Sequence, residues 1–208
     1  MNPFIFKSKT IQLDNVRLSD SITVLNMLNT RYIVPTRGQK ALLNTNAYGQ
    51  AWFVGNVKKV ANSDKEMLAL KNLNAKQDLI FNTKDFGAIS LKDSYAKDST
   101  ASIKMTKYGT DVLTYASNSK TELPAVFSEV YYPEGWNCYI DGKAVPTFRA
   151  DYILRATVVP AGKHTIEWKF EPPSFTSGSK VSMAGSLLVL LFFFGMSFKE
   201  IADSRKNA

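Results

Sequence analysis

Cysteine occurs once in the 208 residues, at Cys138, and histidine once, at His164. One cysteine excludes an internal disulfide and any metal site built from several thiolates. One histidine, without a cysteine or carboxylate cluster near it, excludes the usual zinc sets, and a structural place at a strand end is its expected role. A Ser-His-Asp arrangement would have to use His164, and no nucleophile, base and orienter set is visible around it. No catalytic, metal or cofactor residue is therefore assigned. Runs of five like charges are also missing. The 26 basic and 18 acidic residues leave a formal charge of +8 spread thinly along the chain. Nucleic acid is accordingly not expected as a partner, whereas a mildly basic face beside anionic lipid or polymer fits the same charge. The opening Met1-Asn-Pro-Phe-Ile-Phe-Lys7 lacks the basic segment and long apolar stretch of a secretory signal. Low-complexity tracts and internal repeats are absent as well.

What the chain does have is one long apolar run. Val181 to Phe198 is eighteen residues without a charge, ten residues from the C-terminus. As a helix it would measure roughly 27 Å, close to the hydrocarbon thickness of a bilayer. Leu187 to Phe194 is apolar around the whole circumference, unlike a helix on a small soluble core, which keeps a polar stripe. The expectation is a transmembrane helix over 181–198, preceded by a short linker at 174–180 and followed by a short cytoplasmic tail at 199–208. Lys199, Arg205 and Lys206 follow the run and only Lys180 immediately precedes it, which puts the C-terminus inside and the rest of the chain outside. A tail anchor with the domain in the cytoplasm is the alternative topology.

The sequence before the run is rich in strands and turns. Ser19 or Asp20 caps a short helix through Leu28, with Ile22, Leu25 and Leu28 on one face. Strands are expected at Tyr32–Val34, Ala51–Val54, Val57–Val60 and Leu79–Phe81. Ser63-Asp-Lys-Glu66 has a capping-box pattern and opens a helix through Leu73, with Met67, Leu70 and Leu73 facing the core. Residues 1–90 thus read as a small α+β portion. From residue 100 to 173 the pattern is repetitive β: Ile103 and Met105, Val112–Ala116, Ala125–Tyr132, Trp136–Ile140, Ala144–Arg149, Tyr152–Val159 and His164–Phe170. Asp141-Gly142 is a hairpin signal, because a type I′ turn needs positive φ at both central positions. Pro160-Ala-Gly162 turns the chain again. The expected fold is mainly β, an antiparallel β-sandwich of jelly-roll or immunoglobulin-like type.

Several segments carry a resemblance. Phe127-Ser-Glu-Val-Tyr-Tyr-Pro-Glu-Gly-Trp136, Tyr139-Ile-Asp-Gly-Lys143, Tyr152-Ile-Leu-Arg-Ala156, Val159-Pro-Ala-Gly-Lys-His164 and Phe170-Glu-Pro172 together resemble the C-terminal part of the bacterial YfhO membrane proteins. Met27-Leu-Asn-Thr-Arg-Tyr-Ile-Val34 and Ala51-Trp-Phe-Val54 match the same pattern upstream. The resemblance implies a multi-spanning protein with a GT-C-like membrane region, implicated in moving sugars from a lipid carrier onto cell-envelope polymers. It also implies an exported β domain between the last two spans. The acidic residue expected of a GT-C catalytic site belongs to an early external loop that this chain does not contain, so no catalytic residue carries over.

Sugar-binding sandwiches stack pyranose rings on exposed aromatics. Tyr131, Tyr132 and Trp136 flank Pro133-Glu-Gly135 and are candidate glycan contacts, weighed against Trp136 being a core residue and the tyrosines packing a sandwich edge. Arg149 and Arg155 are candidates for an anionic glycan or phosphate, since a guanidinium fork matches those oxygens; solvated outward positions on strands are the plainer alternative. Paired carboxylates from Glu129, Glu134, Asp141 or Asp151 carry no spacing signal for glycoside hydrolysis. The reading is an exported, membrane-anchored accessory β domain of a YfhO-like protein of cell-envelope glycosylation, not catalytic by itself. Its partners are the lipid bilayer through Val181–Phe198, other spans of the full-length protein, and a cell-envelope glycan or lipid-linked sugar. A structural or interaction module that packs on membrane partners without binding sugar is the alternative function.

Overall fold

The computed structural model describes residues 22–206. In chain order the elements are α1 (Thr23–Met27), β1 (Tyr32–Ile33), β2 (Leu42–Leu43), β3 (Ala51–Phe53), β4 (Asn56–Val60), α2 (Ser63–Ala69), a 3₁₀ turn (Leu70–Asn72) and β5 (Asp78–Asn82). There follow β6 (Ser102–Tyr108), β7 (Val112–Ser119), β8 (Leu123–Val130), β9 (Trp136–Ile140), β10 (Lys143–Val145), β11 (Phe148–Ala150), β12 (Leu154–Val159), β13 (Gly162–Phe170) and α3 (Pro173–Lys206). Two large sheets result. The five-stranded sheet has the order β10-β9-β13-β7-β6 and the six-stranded sheet the order β3-β8-β12-β11-β5-β4, while β1 and β2 form a separate small hairpin.

The chain is mainly β, a sandwich followed by one apolar helix. Leu113, Tyr115, Ala125, Phe127, Cys138, Ile140, Val159, Ile166 and Trp168 come from both large sheets and fill the space between them. Phe127 sits edge-on to both Tyr115 and Trp168, with ring centroids 4.9 and 5.2 Å away. The opposite face of the six-stranded sheet is covered too. Leu79, Phe81, Val126, Phe148, Leu154 and Ala156 pack there with Met27, Val54, Leu73, Ala75 and Leu91 from α1 and the connections. A sheet buried on both faces needs consecutive apolar residues rather than alternation, which is why Leu123 to Phe127 is buried without a break.

Several sequence expectations are revised. Strands β3, β4 and β5 of the α+β portion join β8, β12 and β11 in a single sheet, so the two stretches share one core. Within it β4 and β5 run parallel, with α2 as the crossover between them. The strand expected over Ala144–Arg149 is two: β10 pairs with β9 in one sheet and β11 pairs with β12 in the other. Pro146 lies at the exchange, where its missing N–H breaks the ladder. Tyr152 is not strand but turn, with φ of 73° after Asp151 at 52°. Helix α2 is capped by Asn62, whose side chain accepts from Lys65 N, and Glu66 is its buried residue while Met67 is exposed. In α1 the buried residues are Asn26 and Met27; the cap proposed at Ser19 or Asp20 lies outside the described residues. Residues 174–180, expected as a linker, are helical: α3 starts at Pro173, a residue suited to the first helical turn because its absent N–H has no partner there to lose. At 34 residues α3 is about 51 Å long, and Val181 to Met196 is exposed on every side.

Candidate functional site

Asp141-Gly142 forms the tight turn between β9 and β10, with φ of 50° and 79°, as that dipeptide requires. The Asp141 carboxylate then reaches across to β13. It accepts from Thr165 N at 2.9 Å and lies 2.6 Å from His164 Nδ1, while His164 Nε2 is 3.1 Å from the Ala161 carbonyl oxygen. Both ring nitrogens therefore face acceptors, a setting that only the imidazolium satisfies. The hydrogen bond to Asp141 raises the His164 pKa, and the same bond lowers that of Asp141. His164 is thus a clamp on a hairpin at the strand end. Cys138 is buried between the sheets, and burial pushes its thiol up to about 12, so it is not a nucleophile. Among the described residues no three His, Cys, Asp or Glu side chains gather as a metal site.

The five glycan candidates are distributed over two clusters. Arg155 is buried, donates from Nε to the Val130 carbonyl oxygen at 2.9 Å, and lies 4.1 Å from the centre of the Trp136 ring and 5.5 Å from that of Trp168. Burial pulls its pKa down from the usual guanidinium value. The Trp136 ring also meets Phe170, with ring centroids 5.3 Å apart. Trp136 is therefore half-buried in an arginine–aromatic stack and does not stand free as a flat platform.

Arg149 stands directly opposite Arg155 in the β11–β12 ladder and belongs to the second cluster. Its Nη2 donates to Glu66 Oε2 at 2.9 Å and to Asp85 Oδ2 at 3.0 Å. Two like charges facing each other across strands repel; here the carboxylates neutralise one and the indole faces screen the other. Glu66 is fully buried and also accepts from Tyr152 N at 2.8 Å and from Asn82 Nδ2 at 3.3 Å. The arginine lies over the rings of Phe86 and Tyr152, and Phe86 in turn meets Tyr131 edge-on. Neither arginine is a solvated outward position. Tyr132 alone among the five is openly exposed, at 51 %.

The carboxylates of this network were not singled out from sequence. The capping-box pattern presents Glu66 as a helix-capping residue, yet it shares a helical stripe with Leu70 and Leu73 at the i, i+4, i+7 spacing, and that spacing is the signal for its burial. Asp151 is likewise buried; its Oδ1 accepts from Ile80 N at 2.8 Å and its Oδ2 has no hydrogen-bond partner among the described residues. Burial raises its pKa to about 7. A separate open groove of about 490 Å³ crosses the outer face of β6, β7 and β13, lined by Ser102, Lys104, Asn118, Asp141, Lys163 and Thr165 among others.

The loop Tyr131–Gly135 returns to the base of α3. Glu171 N donates to the Gly135 carbonyl oxygen at 2.6 Å, and a Cβ on Gly135, whose φ is 111°, would come within 2.8 Å of Pro172 Cα. The Glu171 carboxylate takes hydrogen bonds from Tyr139 Oη at 2.8 Å and Asn137 Nδ2 at 3.1 Å. Sandwich and helix thus meet in a joint tied by backbone and side chains. The model of the family described as bacterial membrane protein YfhO matches residues 43–182, from β2 through the joint into the apolar part of α3. The chain belongs to the YfhO family. No curated protein and no solved structure matches it. Family membership and the long apolar helix together make this YfhO-family chain a membrane protein, with α3 the element long and apolar enough to cross.

Proposed function

We propose that this chain is an accessory, non-catalytic β module of a YfhO-type protein that acts in glycosylating cell-envelope polymers. In this reading the sandwich lies outside the membrane and the C-terminus in the cytoplasm, as the excess of Lys199, Arg205 and Lys206 over Lys180 favours. The observation that carries the proposal is the joint: β13 runs into α3 with Glu171 and Pro172 locked on Gly135, without a flexible spacer. A module joined in this way keeps one attitude to the bilayer, which suits a part that offers an acceptor to a membrane-embedded active site. Sugar recognition is better supported at the groove over β6, β7 and β13 than at Trp136, because Lys104, Lys163 and the neighbouring hydroxyl and amide groups point outward there. The competing role, packing on partner spans without binding sugar, draws on the exposed circumference of α3.

The test combines topology with transfer. A thiol at Lys143→Cys should react with a membrane-impermeant maleimide on intact cells, and the purified chain should transfer no sugar. Six Gly-Ser residues inserted after Glu171 in the full-length protein should reduce envelope glycosylation at least several-fold while its abundance holds. Labelling only after lysis, sugar transfer by the chain alone, or full glycosylation with the insertion would each overturn the corresponding part.

A further inference from the structure

The strands of the sandwich have one apolar end. Between residues 102 and 172 the large apolar side chains that stand exposed are Tyr108, Val130, Tyr132, Tyr152 and Phe170. All five lie where strands finish or begin beside the base of α3. Phe170 ends β13 and pairs with Trp136. Tyr108 ends β6 beside Leu113, and Phe170 N donates to the Asp111 carbonyl oxygen in the same turn. Val130 ends β8 next to Leu154, and Tyr131 N donates to the Ile153 carbonyl oxygen just after Tyr152. Phe175, in the first turn of α3, is 74 % exposed. The opposite end differs. Its turns are Lys120-Thr121-Glu122, Asp141-Gly142 and Pro160-Ala161, and none of these five residues is there.

We propose that this end of the sandwich docks in the headgroup layer of the bilayer that α3 crosses. The inference rests on the reading of α3 as a span and extends it to the folded domain. Continuity is the first argument, since the apolar end is the end from which α3 emerges through a locked joint. Depth is the second. From Pro173 to Val181 the helix rises about 12 Å, against roughly 5–8 Å for each polar layer of a bilayer, so the base of α3 stands only about 4–7 Å beyond the headgroups, a gap that a tyrosine or phenylalanine side chain spans. Chemistry is the third, because tyrosines present an apolar ring with a polar tip and concentrate at membrane interfaces. The Tyr-Tyr-Pro-Glu-Gly-Trp loop is then a membrane-facing loop and not a glycan platform.

The full chain in phospholipid vesicles tests this, because the buried Cys138 leaves an introduced thiol as the reactive one. An environment-sensitive fluorophore is placed at Thr110→Cys beside the aromatic end, at Lys143→Cys at the far end, and at Leu190→Cys in α3. Lipid carrying a nitroxide on its headgroup should quench the label at 110 at least threefold more than the label at 143. Adding Tyr108→Asp and Tyr132→Asp should remove most of that difference while α3 stays inserted. Equal quenching at 110 and 143, with Leu190→Cys quenched by a nitroxide deep in the acyl chain, overturns the docking alone. A Leu190→Cys label that escapes the deep nitroxide overturns the span and the docking with it. A label at 110 that responds to soluble envelope glycan and not to headgroup nitroxide returns the loop to sugar binding.

Discussion

Asp151 occupies the left-handed region at φ 52° with its carboxyl group wholly out of water. Desolvation outweighs the Ile80 N–H bond and, with Glu66 and Asp78 adding repulsion, lifts its pKa from 3.8 to about 7. A carboxyl group raised on folding binds its proton more tightly in the folded state, so stability is full below pH 3.8 and falls as pH rises toward 7. The loss above that window is on the order of 4 kcal/mol for a shift of this size. Asparagine tolerates the same backbone region and mimics the protonated acid. Asp151→Asn should therefore match the parent near pH 4, where the acid and the amide each carry one unpaired polar group, and exceed it by about 4 kcal/mol at pH 8. Urea unfolding in mild detergent at both pH values checks this, and a variant equal to the parent at pH 8 would show that Asp151 is not held neutral. Glu66 predicts the opposite sign. It compensates Arg149 and satisfies Tyr152 N from a fully buried position, so Glu66→Ala should cost about 3 kcal/mol. A loss below 1 kcal/mol in the same measurement would remove this network from the account of the fold.

At the scale of elements, the joint between β13 and α3 depends on a single glycine. Gly135 adopts φ 111° and faces the Pro172 backbone at a distance that admits no Cβ. Gly135→Ala should cost about 1–3 kcal/mol from backbone strain alone, and relief by opening the loop would break the Glu171 N–H bond. Hydrogen exchange reads this directly: protection of the Glu171 amide should fall at least tenfold while that of Ile166 in β13 is kept. An unchanged Glu171 amide would mean that the joint is held elsewhere. Elements such as these were unevenly legible in the sequence. Asp141-Gly142 and the alternation of Ile166 and Trp168 were plain because turn chemistry and a half-buried strand are local properties. The passage from β10 to β11 was not, since residues 144–149 keep strand character while the chain changes sheets and nothing local names the partner. Arg149 and Arg155 were placed on strands correctly, but their burial comes from Glu66, 83 residues before Arg149 in sequence, and from two indole rings. For Trp136 the residue type was legible and its covering neighbours, Arg155 and Phe170, were not.

At the scale of the whole molecule, strands from before residue 90 and strands from after residue 100 are joined through one six-stranded sheet. The strands β8, β12 and β11 are sandwiched between two cores, and the core on the outer side takes much of its substance from the earlier residues. Phe81 meets Phe148 edge-on at 5.4 Å, Ala150 pairs with Phe81, and Trp52 donates to the Ala75 carbonyl oxygen while its strand β3 closes the edge against β8. A chain beginning near residue 97 would keep every strand of the five-stranded sheet but expose Val126, Phe148, Leu154 and Ala156, all essentially inaccessible in the intact protein. Apolar burial worth roughly 1.5–3 kcal/mol for each large side chain would be lost, against a total stability of about 5–15 kcal/mol for a domain. Residues 97–172 expressed alone should therefore show no cooperative thermal transition and should bind a dye that reports exposed apolar surface, whereas residues 22–172 should unfold in one step with dispersed amide resonances. A sharp transition from the shorter piece would mean that the space between the two sheets suffices as a core and that the α+β portion is an addition to it. The longer piece unfolding in two steps would separate the cores that the shared sheet joins.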